Sequence, residues 1–470
     1  MRRFVLLLIC LACVFSVFGQ TDGYQVRFKI NGLKDTTVLV ANYYGNGTYV
    51  KDTLKVDSKG TAVFKAGDDL PKGLYILVIN DKKYFDFVVN NDRKFTMETE
   101  AGNPQDMVRV SDSPENILFY DYLKYNKLKY ADLQVLQNKY KQYESSSDSA
   151  KVAQEQMIRL NKELIQYKLD IVRQHPDSFL AFMINAMKEP EIPEPPVLPN
   201  GRKDSTFAYR YFKSHFWDDM DLSDNRLLRT PVFHNKLKRY FDQVVIQQPD
   251  TIIAEIDRMV AKTQPDPEMF KYVVWFATYK YENSEVMGFD KIFVHIIETY
   301  YMTGQATWVQ PDVLQNIIKK ATKLKPLLIG AVAPNMIMTD TANRLVSMHS
   351  IKADVLMLLF WDPDCGHCEH EIPEIRRIYD KYKEPYNFEI FAVCSDTSLV
   401  KWKSYILKKG MTWINVDGPR SLTGNYHDTY DIITTPVIYI LNDRKEIIAK
   451  HLKSDQIEMF LKNYLKIKPD

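Results

Sequence analysis

From residue 24 onward apolar and polar side chains alternate. Tyr24-Gln25-Val26-Arg27-Phe28-Lys29-Ile30 puts four apolar residues on one side and three polar ones on the other, the two-residue period of a half-buried strand. Thr36 to Tyr44, Thr61 to Lys65, Leu74 to Ile79 and Tyr84 to Val89 repeat the texture. Turn formers separate them at Asn46-Gly47, Ser58-Lys59-Gly60, Asn80-Asp81 and Asn90-Asn91-Asp92. Short strands at this spacing predict a small antiparallel β-sandwich over residues 20–110.

The period then changes. Leu133, Leu136, Tyr140 and Tyr143 step by 3-4-3, and Met157, Leu160, Leu164, Tyr167 and Ile171 by 3-4-3-4, with the polar break Glu144 to Ser149 between the runs. That is one face of each of two helices joined as an antiparallel hairpin. Apart from a proline-rich loop, Pro190 to Pro199, the helical texture continues to Lys325. Residues 111–327 are therefore expected to form a mainly α-helical domain.

After Gly330 strands and helices alternate. A hairpin is expected at Met336-Ile337-Met338 and Arg344 to Met348. Strands follow at Val355–Trp361, Phe388–Ser395, Trp413–Val416, Val437–Leu441 and Glu446–His451, and helices at Cys365–Tyr382, Ser398–Lys409, Leu422–Tyr430 and Asp455–Leu465. This order predicts an α/β fold with parallel pairs over 328–470, and the short turn Asn442-Asp443-Arg444-Lys445 adds one antiparallel pair at its end. The chain thus reads as multidomain, its C-terminal α/β fold preceded by the sandwich and the helical domain.

Composition narrows the class. A formal net charge of +2 is far from the basic balance of a nucleic-acid binder, so no nucleic-acid partner is expected. At the N-terminus Arg2 and Arg3 precede the apolar run Phe4 to Val14, and Val17-Phe18-Gly19 supplies a cleavage site before Gln20. Residues 1–19 read as a signal peptide, which predicts export. The apolar run is short for a membrane span. Cleavage would remove Cys10 and Cys13 and leave Cys365, Cys368 and Cys394. One close pair in so long a chain is no disulfide scaffold and points to chemistry.

That pair lies in Trp361-Asp362-Pro363-Asp364-Cys365-Gly366-His367-Cys368, between an apolar strand and a helix. A Cys-x-x-Cys at a strand-to-helix turn presents a redox dithiol. Cys365, at the first turn, would have its thiolate stabilised by unpaired N–H groups and the positive end of the helix dipole, and is the expected nucleophile. Cys368 is one turn on and would resolve a mixed disulfide. His367 tunes the pair toward the thiolate, and Asp362 and Asp364 push the other way. Zinc would need further ligands that the chain does not supply, so no metal is expected. Covalent haem would need His where Glu369 stands. A structural disulfide rarely spans two residues at a helix start. The expected redox group is the Cys365–Cys368 disulfide itself, with no other cofactor. Cys394 reads as a buried, inert thiol. His175, His215 and His234 read as structural or exposed.

Residues 330–470 resemble the thioredoxin superfamily, and within it the periplasmic TlpA/ResA-like thiol–disulfide oxidoreductases. The residues carrying the resemblance are Gly330-Ala331-Val332-Ala333-Pro334, Phe360-Trp361 with Cys365-Gly366-His367-Cys368, Glu371-Ile372-Pro373, and Thr434-Thr435-Pro436. The resemblance implies that Pro436 is the cis-proline facing the dithiol, leaving the Thr435 backbone free to pair with a substrate strand. It implies that Trp361 flanks the substrate site and packs there, with a steric role, and that Glu371 handles protons as a base for Cys368. It also places the protein in the periplasm of a Gram-negative bacterium, acting on protein disulfides and fed by a membrane electron donor. The sandwich and helical regions resemble accessory domains of secreted bacterial proteins. A peroxiredoxin would carry Thr or Ser three residues before its cysteine, where Asp362 stands.

Gly366-His367 is the dipeptide of protein disulfide isomerase rather than thioredoxin. Those two proteins differ by roughly 90 mV, about 4 kcal/mol for two electrons. Three functions follow: a reductase, the leading one; an isomerase or oxidase; and a binding scaffold carrying a passive thioredoxin module.

Overall fold

The computed structural model describes residues 23–81, 83–143 and 147–467. The expected signal peptide, with Cys10 and Cys13, lies outside these residues. The chain packs as two compact units that meet in sequence between Val244 and Val245.

The first unit opens with eight strands: β1 Tyr24–Asn31, β2 Thr36–Tyr44, β3 Gly47–Val56, β4 Thr61–Ala66, β5 Gly73–Asn80, β6 Lys83–Val89, β7 Lys94–Glu100 and β8 Arg109–Ser111. They form two four-stranded sheets of order β4-β1-β7-β8 and β3-β2-β5-β6. The alternation in β1 does what its period requires: Val26, Phe28 and Ile30 are buried, and Phe28 meets Phe87 edge-to-face at 5.3 Å. The sandwich is not wholly antiparallel, because β1 and β7 pair in parallel.

Five helices follow: α1 Pro114–Gln142, α2 Asp148–Gln174, α3 Phe179–Met187, α4 Phe207–His215 and α5 Pro231–Arg239. Ser113, Ser147 and Ser178 cap the first three, each hydroxyl accepting a backbone N–H of the first turn. The expected α1–α2 hairpin is present, with Leu133, Leu160 and Leu164 buried between its arms. Asn116 ties α1 to the sandwich: its amide accepts the Val88 N–H at 2.7 Å and donates to the Val88 carbonyl at 2.9 Å.

The second unit begins with α6 Pro249–Thr263, α7 Pro267–Glu282, α8 Asp290–Ile296 and α9 Pro311–Leu324. The helical stretch is therefore shared between the two units. Next come β9 Ile337–Asp340, β10 Leu345–Ser347, β11 Val355–Trp361, α10 Gly366–Tyr386, β12 Phe388–Cys394, α11 Leu399–Lys409, β13 Ile414–Asp417, α12 Tyr426–Thr429, β14 Val437–Asn442, β15 Ile447–Lys450 and α13 Ser454–Tyr464. One seven-stranded sheet of order β10-β9-β13-β12-β11-β14-β15 runs through it. β11 pairs in parallel with β12 and antiparallel with β14, which makes this a thioredoxin-like α/β domain. Every residue of β11 is buried, as a central strand covered on both faces must be. Between β13 and β14 a 3-10 turn at Gly418–Arg420 precedes the α-helix Tyr426–Thr429, which is shorter than the helix expected at Leu422–Tyr430.

The helices of this unit are stitched to its sheet. The Lys450 ammonium, buried at the end of β15, pairs with Asp290 at the start of α8 and donates to the Leu327 carbonyl at 2.7 Å.

Candidate active site

β11 ends at Trp361 and α10 begins at Gly366, so the four residues between them form the turn at the C-terminal end of this central strand, where the dithiol stands. Cys365 is the N-cap of α10, with extended backbone (φ −79°, ψ 114°). Its Sγ accepts the Cys368 N–H at 3.3 Å and donates to the Thr435 carbonyl at 3.1 Å. Thr435 precedes a cis peptide bond to Pro436, directly before β14.

The two thiols differ in character. Burial pushes the Cys365 thiol up. Hydrogen bonds from the Cys368 and Thr435 side chains and from the Cys368 and His367 N–H groups outweigh it and hold Cys365 below the ordinary thiol range. Cys368 is fully buried. Burial, then the neighbouring Cys365 sulfur, push it up to about 12, against a hydrogen bond from the Asp362 N–H. A half-exposed, acidic sulfur thus sits beside a buried, basic one. Cys394 is buried at the end of β12, in register with Trp361, and burial pushes it up to about 12 as well.

The other expected residues fall in three places. His367 is exposed beside the dithiol and makes no side-chain hydrogen bond among the described residues. Trp361 has no exposed surface and its ring lies against Tyr405, centroids 5.0 Å apart. A side chain buried at the end of a central strand packs beneath the dithiol turn. Glu371 is engaged on the C-terminal helix, where its carboxylate accepts the Ser454 N–H at 2.8 Å and satisfies a first-turn donor of α13.

Sequence reasoning placed helix α11 but missed its part in the site. Lys401 pairs with Asp364 and lies 3.4 Å from Asp396, Tyr405 donates to Glu369 at 3.1 Å, and Lys409 pairs with Glu369. Ser395 donates to Asp362 at 2.5 Å. The spacing Lys401-Tyr405-Lys409 marks one helix face, but Asp364 and Glu369, which it meets, lie more than thirty residues away in the chain.

Among the described residues no group of three or more His, Cys, Asp and Glu is placed to hold a metal ion, and no helix is long and apolar enough to cross a membrane. A groove of about 650 Å³ lies in the first unit, lined by Ile165, Leu169, Met187, Tyr211 and His215 among others; none of the expected site residues lines it.

Comparison with known proteins places these observations. Residues 329–450 match the AhpC/TSA family, residues 24–119 the domain of unknown function DUF4369, and residues 137–323 the domain of unknown function DUF5106. The C-terminal region is similar to the thiol-disulfide oxidoreductase ResA of Bacillus thuringiensis subsp. konkukian (strain 97-27), 28% identical over 146 residues, which are 31% of this chain and 81% of that protein. It is also similar to ResA of Bacillus subtilis (strain 168), 25% identical, covering 30% of this chain and 76% of that one. Among solved structures, a domain of a possible thiol-disulfide isomerase from Cytophaga hutchinsonii is 34% identical, covers 30% of this chain and 95% of that one, and has a TM-score of 0.28. A thioredoxin-like protein from Bacteroides caccae is 18% identical, covers 58% and 99%, and has a TM-score of 0.44.

Proposed function

Since its C-terminal domain is thioredoxin-like, of the AhpC/TSA family and related to the ResA thiol–disulfide oxidoreductases, the protein is an oxidoreductase, and we propose that it exchanges thiols with protein disulfides through Cys365 and Cys368, in the reductive direction. One observation carries this reading: the Cys365 sulfur is half-exposed, N-caps α10 and lies 3.1 Å from the Thr435 carbonyl, with its partner thiol one turn behind it.

The Cys365 thiolate attacks one sulfur of the substrate disulfide. The substrate S–S bond breaks, a mixed disulfide forms, and the departing sulfur takes a proton. Cys368 then gives up its proton and attacks the Cys365 sulfur. The mixed disulfide breaks and the second substrate sulfur leaves as a thiol after protonation. The substrate gains two electrons and two protons, and the Cys365–Cys368 pair becomes a disulfide. A membrane protein of the exporting cell would return the electrons, with Pro436 and Thr435 aligning the substrate strand. Export to the periplasm rests on Arg2, Arg3 and the apolar run that follows.

Insulin reduction by residues 20–470, with the potential of the pair measured against defined dithiol buffers, tests the proposal. A pair that exchanges and lies near the thioredoxin potential supports a reductase. A value near that of protein disulfide isomerase favours isomerisation, the reading His367 supports. No exchange at any buffer poise overturns both.

A further inference from the structure

Two carboxylates bracket the dithiol in sequence: Asp364 directly precedes Cys365 and Glu369 directly follows Cys368. Left bare, each would oppose a thiolate at the start of α10 and cancel part of what the helix dipole gives. Neither is bare. Both are met by α11, whose Lys401, Tyr405 and Lys409 follow one another at four-residue intervals and so share a face. Lys401 takes Asp364 and Lys409 takes Glu369, while the Tyr405 hydroxyl donates to Glu369 from a ring packed on Trp361.

We propose that α11 is a charge-balancing element for the dithiol, in which Lys401 and Lys409 neutralise Asp364 and Glu369 and Tyr405 positions Glu369, so that the three together set the redox poise of the Cys365–Cys368 pair. The inference rests on the exchange chemistry proposed above and names the positioning residues that adjust it. The charged and titratable groups of the elements that meet here are Asp362, Asp364, His367, Cys368 and Glu369 from the dithiol loop and helix, Asp396 from the loop after β12, and Lys401, Tyr405 and Lys409 from α11. The Thr435 segment brings no charge. Asp362 is held separately, by Ser395. The direction of the Glu369 shift agrees: the Lys409 hydrogen bond leads the causes that hold its carboxyl below the usual range.

The ion pairs are at the surface and are screened, so each lysine has a bounded effect. For a carboxylate one residue from a reacting sulfur in water-exposed surroundings, Coulomb's law gives about a threefold effect. Replacing Lys401 by Gln releases Asp364, and with it the more distant Asp396, disfavours the thiolate and so disfavours the reduced pair. The thiolate fraction of Cys365 at fixed pH falls about threefold, and the potential falls by about 15 mV at 29.6 mV per tenfold. Lys409→Gln acts in the same direction. Tyr405→Phe, which keeps the ring on Trp361 and leaves Lys409 in place, acts less than twofold.

The experiment is a charge cycle on the full chain, reading thiolate absorbance against pH and the potential against glutathione. Lys401→Gln and Asp364→Asn should shift both readouts in opposite directions, and the double variant should return close to wild type. Lys403→Gln, on the same helix and with no partner among these carboxylates, is the control. Wild-type readouts in Lys401→Gln and Lys409→Gln, or equal shifts in Lys403→Gln, overturn the inference. A wild-type pair that does not equilibrate with glutathione overturns the exchange reading instead, so the two failures are distinguishable.

Discussion

Two helices of this protein, one in each unit, begin in the same way and serve different ends. α1 is capped by Ser113, whose hydroxyl accepts the Asn116 N–H at 3.1 Å. α10 is capped by Cys365, whose sulfur accepts the Cys368 N–H at 3.3 Å. The Ser113 hydroxyl donates to a carboxylate, Asp92, at 2.6 Å, and the cap is closed off from solvent. The Cys365 sulfur donates to a neutral carbonyl, that of Thr435, and is half-exposed. A hydroxyl in this position stabilises a helix and does nothing more. A sulfur is a poorer acceptor but it ionises, so the same donors appear as a depressed thiol pKa.

The largest test of this contrast exchanges the atoms. Cys365→Ser keeps a good cap and removes the nucleophile, so insulin reduction should fall to the uncatalysed rate while thermal unfolding barely moves. Cys368→Ser should instead accumulate mixed disulfides with partner proteins, visible on non-reducing gels. In the reverse exchange, Ser113→Cys puts a thiol beside the Asp92 carboxylate. That charge and burial both favour the protonated form, so this cysteine should alkylate no faster than an ordinary buried one.

Acidity separates the sulfurs of the second unit next. Iodoacetamide reacts with thiolates, so Cys365 should label steadily at neutral pH and lose reactivity as the pH falls through its depressed pKa. Cys368 and Cys394, each pushed up to about 12, should stay unlabelled until the chain unfolds. Mass spectrometry of the labelled sites reads this directly, and equal labelling of Cys365 and Cys368 at neutral pH would contradict it.

Smaller effects belong to the first unit. Asn116→Ala leaves the buried Val88 N–H and carbonyl without their side-chain partner, which costs about 2 kcal/mol. Ser113→Ala costs about 1 kcal/mol. Neither should change the potential of the dithiol, a point to check by denaturant titration alongside the redox measurement. Glu371 gives the finest test. Glu371→Gln keeps an acceptor for the Ser454 N–H, whereas Glu371→Ala removes it, at about 0.5–1.5 kcal/mol. A lower exchange rate in the Gln variant would assign Glu371 a proton-handling role beyond its cap.

The same contrast explains what could be read in advance. β11, the Cys-x-x-Cys turn and the order of elements after Gly330 were legible because each is signalled by local residues. β3 was not, because an edge strand with mostly exposed side chains shows no alternation, and a register shift in its partner at Val40/Ala41 interrupts the pattern further. β7 escaped notice because its place is fixed by parallel pairing with β1, some seventy residues earlier. At the site, Cys365 and Cys368 announce themselves by spacing. The α11 lysines do not, since an amphipathic helix reads the same whichever carboxylates it meets. The full burial of Trp361 against Tyr405 was not legible either, because nearness in sequence to a reactive cysteine says nothing about which way a strand-end side chain points.

The Lys450 linkage bears on how the protein can be dissected. A fragment starting at Gly330 would keep the whole seven-stranded sheet and the dithiol, yet it would lose both Asp290 and the Leu327 carbonyl. A lysine buried to within 4% of full enclosure would then be exposed to water or be left a stranded charge. A redox fragment that keeps this lysine paired is accordingly bounded by electrostatics rather than by the edge of the α/β pattern: it begins before Asp290, at the start of α8.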